Sequence, residues 1–217
     1  MSNKRLIVAL DTNNLSKAKE IVSHLNPEQC MVKVGLELFI SQREKILEYL
    51  TSESFEIFLD LKLHDIPNTV SKALKAIQEF NISMTTIHLK GGKDMIKAAS
   101  ETAGDIRLLG VSILTSLSEN EIELTYGIPF SNLFQRLLGI AQESKIDGLV
   151  CSSHELEYLK EFKGIKVVPG IRNQVLDDDQ KRVMSSSEAY ALGADYIVVG
   201  RPITDASDIQ RKIMEYS

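Results

Sequence analysis

The chain has 217 residues, 43% of them hydrophobic and 25% charged, with a formal net charge of −5. This is ordinary globular composition, enough for one large domain or two small ones. The acidic balance argues against sequence-independent DNA or RNA binding, which rests on basic patches, yet leaves room for an anionic substrate in a locally positive site.

In chain order, the first predicted strand, residues 5–10, runs into Asp11 and a helix at 15–25. The second, 30–35, carries Lys33 and leads to a helix at 38–50. The third, 55–61, ends in Asp60-Leu-Lys62-Leu-His-Asp65, and Ile66-Pro67 then turns the chain into a helix at 69–80. A fourth strand at 84–88 ends in His88, before a helix at 94–102. The fifth, 107–114, leads to Thr115 and a helix at 133–144, and the sixth, 147–151, to a helix at 155–162. The seventh, 165–170, reaches Arg172, a polar loop at 173–180 containing Gln180, and a helix near 187–192. The eighth, 195–200, delivers Gly200-Arg201 and a final helix at 205–216.

Strands alternating with helices imply parallel pairing through crossovers, and runs apolar at consecutive positions suit strands covered on both faces. Eight units of about 27 residues match a (β/α)8 TIM barrel, with a doubly wound open sheet as the rival. No linker or low-complexity segment divides the chain, so residues 1–217 are expected to form one domain. Residues 6–10 are too short for a signal peptide's apolar region, and no stretch approaches the roughly 18 apolar residues of a membrane span. A cytoplasmic protein with no membrane partner is expected. Cys30 and Cys151 sit in apolar strands outside any C-x-x-C pair and read as buried free thiols.

Asp60 and Lys62, two apart in a strand, should share a face. Two carboxylates and an ammonium at a strand end can serve proton chemistry, or can be a structural ion pair. In a barrel the C-terminal strand ends form the active site, where Asp11, Lys33, Asp60, Lys62, His88, Thr115, Arg172 and Arg201 would all converge. The run Ile197-Val-Val-Gly-Arg201-Pro-Ile-Thr-Asp205 offers backbone N–H groups and a guanidinium, as a phosphate site requires. The alternative is an ordinary strand-to-helix turn with a surface arginine.

Residues 60–69, Asp-Leu-Lys-Leu-His-Asp-Ile-Pro-Asn-Thr, closely resemble the signature of the orotidine 5′-monophosphate decarboxylases, above all their bacterial branch. Further matching blocks are Val8-Ala-Leu-Asp11, Val32-Lys33-Val-Gly-Leu-Glu-Leu-Phe39, Leu114-Thr115-Ser116, Val168-Pro-Gly-Ile-Arg172 and Val199-Gly-Arg201-Pro-Ile-Thr204. The resemblance implies decarboxylation of orotidine 5′-monophosphate to UMP, the last step of de novo pyrimidine nucleotide synthesis, without metal or organic cofactor. It implies Lys62 as the acid that protonates C6, with Asp60 and Asp65 keeping it charged and positioned. Lys33 would link into this array and, with Asp11, bind the ribose hydroxyls. Thr115 would contact the pyrimidine, and Arg172, Gln180, Gly200 and Arg201 the phosphate and its closing loop. Asp65, Ile66 and Thr69 would reach the site of the other subunit of a homodimer.

One position departs from the pattern: Lys90 stands where a small residue is expected, and should point to solvent. Magnesium-dependent phosphosugar barrels, keto-gulonate 6-phosphate decarboxylase and hexulose phosphate synthase, share Asp-x-Lys-x-x-Asp. They carry a strand-2 carboxylate where this chain has Lys33, and Ala-Gly where it has Ile66-Pro67. A non-catalytic nucleotide-phosphate binding barrel is the remaining alternative. His64 is expected to be structural, because the Ile66-Pro67 turn interrupts the strand.

Overall fold

Eight parallel strands pair in sequence order: β1 (Leu6–Ala9), β2 (Cys30–Gly35), β3 (Ile57–Leu63), β4 (Ile82–His88), β5 (Arg107–Val111), β6 (Gly148–Val150), β7 (Ile165–Pro169) and β8 (Tyr196–Val199). β8 pairs with β1 and closes the barrel, which removes the open-sheet alternative. The computed structural model describes residues 5–114, 116–153, 155–173 and 184–216.

Both strand faces are apolar because both are covered. Ile7, Ala9, Met31, Phe58, Met84, Leu109, Val167 and Val198 fill the barrel interior. Their alternating neighbours, among them Leu6, Val8, Val32, Val34 and Leu59, pack outward under the helices. Cys30 and Cys151 are buried thiols outside any disulfide, Cys30 Sγ donating to the Asn26 carbonyl, and burial pushes the Cys151 thiol well up, helped by nearby Glu155.

The helices are α1 (Leu15–Ser23), α2 (Leu36–Gln42), α3 (Glu44–Ser52), α4 (Pro67–Ile77), α5 (Gly92–Thr102), α6 (Glu119–Tyr126), α7 (Phe130–Glu143), α8 (Ser186–Ala191), α9 (Arg201–Thr204) and α10 (Ile209–Met214). Asn14 caps α1 by accepting from the Ser16 and Lys17 N–H groups, and Pro67 opens α4 where its missing N–H costs nothing. None of the described helices is long and apolar enough to cross a membrane.

The helices depart from expectation at four places. The helix expected at 38–50 is two, broken at Arg43 with φ 51° and ψ −134°. Helix α6 was not anticipated, although Ser118 and Glu121 form a reciprocal capping box. The helix expected at 155–162 is a 3₁₀ turn, Glu155–Leu159, in the shortest crossover of the barrel. Its Glu155 is buried, accepting from the Ser112 hydroxyl at 2.7 Å and the Ser152 N–H at 2.6 Å. The closing helix expected at 205–216 is the shorter α10, started by the Asp208 carboxylate, which accepts from the Arg211 N–H, and it is preceded by the separate short helix α9.

Candidate active site

At the rim, the β3–β4 ladder loses register. Leu59 pairs with Thr85 and Leu63 with Ile87, so Asp60, Leu61 and Lys62 stand opposite Thr86 alone. Such a bulge bends the strand and re-aims its side chains. Within it Lys62 has φ 50°, a left-handed backbone that costs a side-chain-bearing residue about 1–3 kcal/mol. The other described non-glycine residues at positive φ, Arg43, Ser54 and Lys145, follow helices; Lys62 alone lies inside a strand.

Thr86 holds this geometry. It is fully buried, its Oγ1 accepts the Lys62 N–H at 2.8 Å, and it donates to Asp60 Oδ1 at 2.9 Å. Asp60 Oδ2 accepts from Lys62 Nζ at 2.8 Å. The pair expected from strand alternation therefore meets, but through a bulge rather than a regular strand. Thr86 was missed because threonine is common in strands. The usable signal was a hydroxyl in a strand otherwise apolar enough to be buried, where it must find partners.

Beside this pair, Lys33 Nζ donates to Asp11 Oδ1 at 3.1 Å. Glycines leave room for that approach. A Cβ on Gly35 would stand 3.2 Å from Lys33 Nζ, and one on Gly200 would stand 3.3 Å from Asp11 Oδ2. Gly35 is the register partner of Asp60, so Asp11, Lys33, Asp60 and Lys62 follow one another around the first three strand ends.

Asp65, Ile66 and Thr69 form a separate group. All three are exposed at the start of α4, with Ile66 at 65%. Asp65 Oδ1 accepts the Ile66 N–H at 2.7 Å, and among the described residues it makes no ion pair with Lys62. Arg172 follows β7 and is buried, its N–H donating to the Met184 carbonyl at 3.0 Å. Gly200 ends β8 and exposed Arg201 opens α9. Thr115 and Gln180 lie outside the described residues. No group of three or more His, Cys, Asp or Glu side chains among the described residues is placed to hold a metal ion.

Lys90 does not point to solvent. It is half-buried, and its Nζ donates to the Tyr126 hydroxyl at 2.7 Å, joining the end of β4 to α6. Its charge bears on His88, which is buried and 5.3 Å, centroid to centroid, from the exposed His64 ring. Burial, then Lys90, His64 and Lys62, lower the His88 pKa from 6.5 to about 4. The unfolded chain thus binds a proton that the folded one refuses between these values. The stability contribution of neutral His88 is complete above about 6.5 and falls away as pH drops towards 4. His88→Gln should flatten the loss of stability between pH 7 and 4.5, read from urea midpoints; an unchanged acid slope would contradict this.

A family model described as "Orotidine 5'-phosphate decarboxylase / HUMPS family" matches residues 4–216. The chain belongs to this family. A relative from Shewanella sediminis, named orotidine 5′-phosphate decarboxylase, is 41% identical over 96% of this chain and 93% of its own. One of the same name from Laribacter hongkongensis is 42% identical over 94% and 87%. The crystal structure of orotidine 5′-phosphate decarboxylase from Lactobacillus acidophilus superposes with a TM-score of 0.87, at 36% identity and covering 99% of both chains. The family description spans both decarboxylase and HUMPS members, so the relatives' names, and Lys33 on β2, weigh towards the decarboxylase branch.

Proposed function

We propose that this member of the family removes the C6 carboxylate of orotidine 5′-monophosphate as CO2, giving UMP, and that it uses no metal or organic cofactor. The observation that carries the reading is the Asp60–Lys62 pair, joined at 2.8 Å on a bulge at the barrel's C-terminal rim. Loss of CO2 leaves an electron pair on C6 that the pyrimidine ring cannot readily spread. The Lys62 ammonium stabilises that pair and then gives it a proton, leaving UMP and a neutral amine that water reprotonates. Asp60 lies towards the substrate carboxylate and fixes the ammonium. The array is set on folding, so little reorganisation accompanies the reaction.

In this reading Asp11 and Lys33 bind the ribose hydroxyls, Thr115 the pyrimidine, and Arg172, Gln180, Gly200 and Arg201 the phosphate. Phosphate binding, remote from C6, drives closure and exclusion of water at the reacting carbon. Arg201→Ala should raise KM by about 10- to 100-fold, the loss of one or two charge-assisted hydrogen bonds, and an unchanged KM would refute the phosphate role. Asp65, Ile66 and Thr69 complete the site of a second copy in a homodimer; their shared exposure supports this, since an isoleucine beside a carboxylate gains little from facing water. A cytoplasmic location accompanies the reading, because a phosphorylated nucleotide does not cross a membrane unaided.

The test is incubation of the protein with orotidine 5′-monophosphate in EDTA, following the orotate absorbance. Steady loss supports the reading. No loss would sink it, and activity only after added magnesium would favour the phosphosugar branch.

A further inference from the structure

We infer that Thr86 is a positioning residue for the Asp60–Lys62 pair: its one hydroxyl fixes both the left-handed backbone of Lys62 and the carboxylate torsion of Asp60. The inference rests on the decarboxylase reading and deepens it.

The hydrogen-bond directions leave no freedom. The Lys62 N–H can only donate, so the Thr86 oxygen accepts it at 2.8 Å. The Thr86 proton is then available to Asp60 Oδ1, an acceptor, at 2.9 Å. With Oδ1 occupied, Oδ2 is turned to Lys62 Nζ at 2.8 Å. Backbone and side chain of Lys62 are thereby held from two ends of one chain of bonds, through a side chain with no exposure to solvent. This is the arrangement expected where a left-handed lysine must persist: surroundings that over-determine it. Thr85, next in β4 and equally buried, donates instead to the Leu59 backbone carbonyl at 2.8 Å. It supplies an internal control, a buried threonine hydroxyl that touches neither charged group.

Thr86→Val keeps the shape and removes the hydroxyl. A displacement of about 1 Å in a reacting group can cost about 10²-fold in rate, so kcat should fall by about 10- to 100-fold with KM within about twofold. Thr86→Ser should restore kcat to within about threefold, and Thr85→Val should leave kcat near that of the parent. Hydrogen exchange gives a readout independent of turnover. The Lys62 amide should be protected in the parent and in Thr86→Ser, and exchange fast in Thr86→Val. A parent protein inactive on orotidine 5′-monophosphate would sink the decarboxylase reading, and the Lys62 amide would still decide whether Thr86 holds the bulge. An active parent with unimpaired Thr86→Val, a Thr86→Ser as slow as Thr86→Val, or an equal kcat loss in Thr85→Val would overturn the inference. If Thr86→Val does not fold, the Thr86→Ser and Thr85→Val arms decide it.

Discussion

Replacing Lys62 with alanine is expected to slow decarboxylation by about 10⁴-fold or more while leaving the fold intact. General acids contribute about 10²–10⁴-fold, and a preorganised charge facing the developing anion adds about 10²–10³-fold. Both roles fall on the same ammonium. The fold should survive because the Lys62 side chain is not a core group: it is a third exposed, and its ordered contact is Asp60. The Thr86 bond to the Lys62 N–H is to backbone and remains. The check is single-turnover rate together with far-UV circular dichroism and a urea midpoint. A rate within tenfold of the parent would remove Lys62 from the chemistry.

Asp65→Ala is expected to lose about 10²-fold or more, as removal of a charge near the reacting groups does. The more searching result comes from mixing. In a heterodimer of Lys62→Ala and Asp65→Ala chains, one site carries both lesions and the other carries neither. Random reassortment makes half the dimers mixed, so about a quarter of the parent activity should return. The geometry motivates the experiment: Asp65 is exposed at the head of α4 and does not join Lys62 within its own chain among the described residues. Activity no higher than the sum of the two variants would contradict the shared site.

The barrel was legible because eight apolar runs, each followed by a polar residue and a helix-forming stretch, leave few ways to pair. Asp60 and Lys62 stood out as charges ending a buried strand, which rarely occur unpaired. The means by which they meet was not legible. Nothing marks Lys62 as left-handed, since the residue usually found there would be glycine. A threonine that clamps a bulge looks like any threonine in a strand. Arg43 breaks its helix with neither glycine nor proline to announce it. Helix α6 was legible in principle, through Ser118 and Glu121 three apart. Lys90 finds its partner Tyr126 across 36 residues of chain, a contact that no local pattern encodes.

The central claim is that Lys62, held by Asp60 and Thr86 on the β3–β4 bulge, delivers a proton to the carbon that lost CO2. Its most direct measurement is product analysis in D2O, with EDTA-treated protein and orotidine 5′-monophosphate, by proton NMR. The account predicts UMP with deuterium at C6, one per carboxylate lost, and no response to magnesium. Unconsumed substrate, turnover appearing only when magnesium is restored, or a Lys62→Ala protein that forms the same deuterated product at a rate within tenfold of the parent, would contradict it.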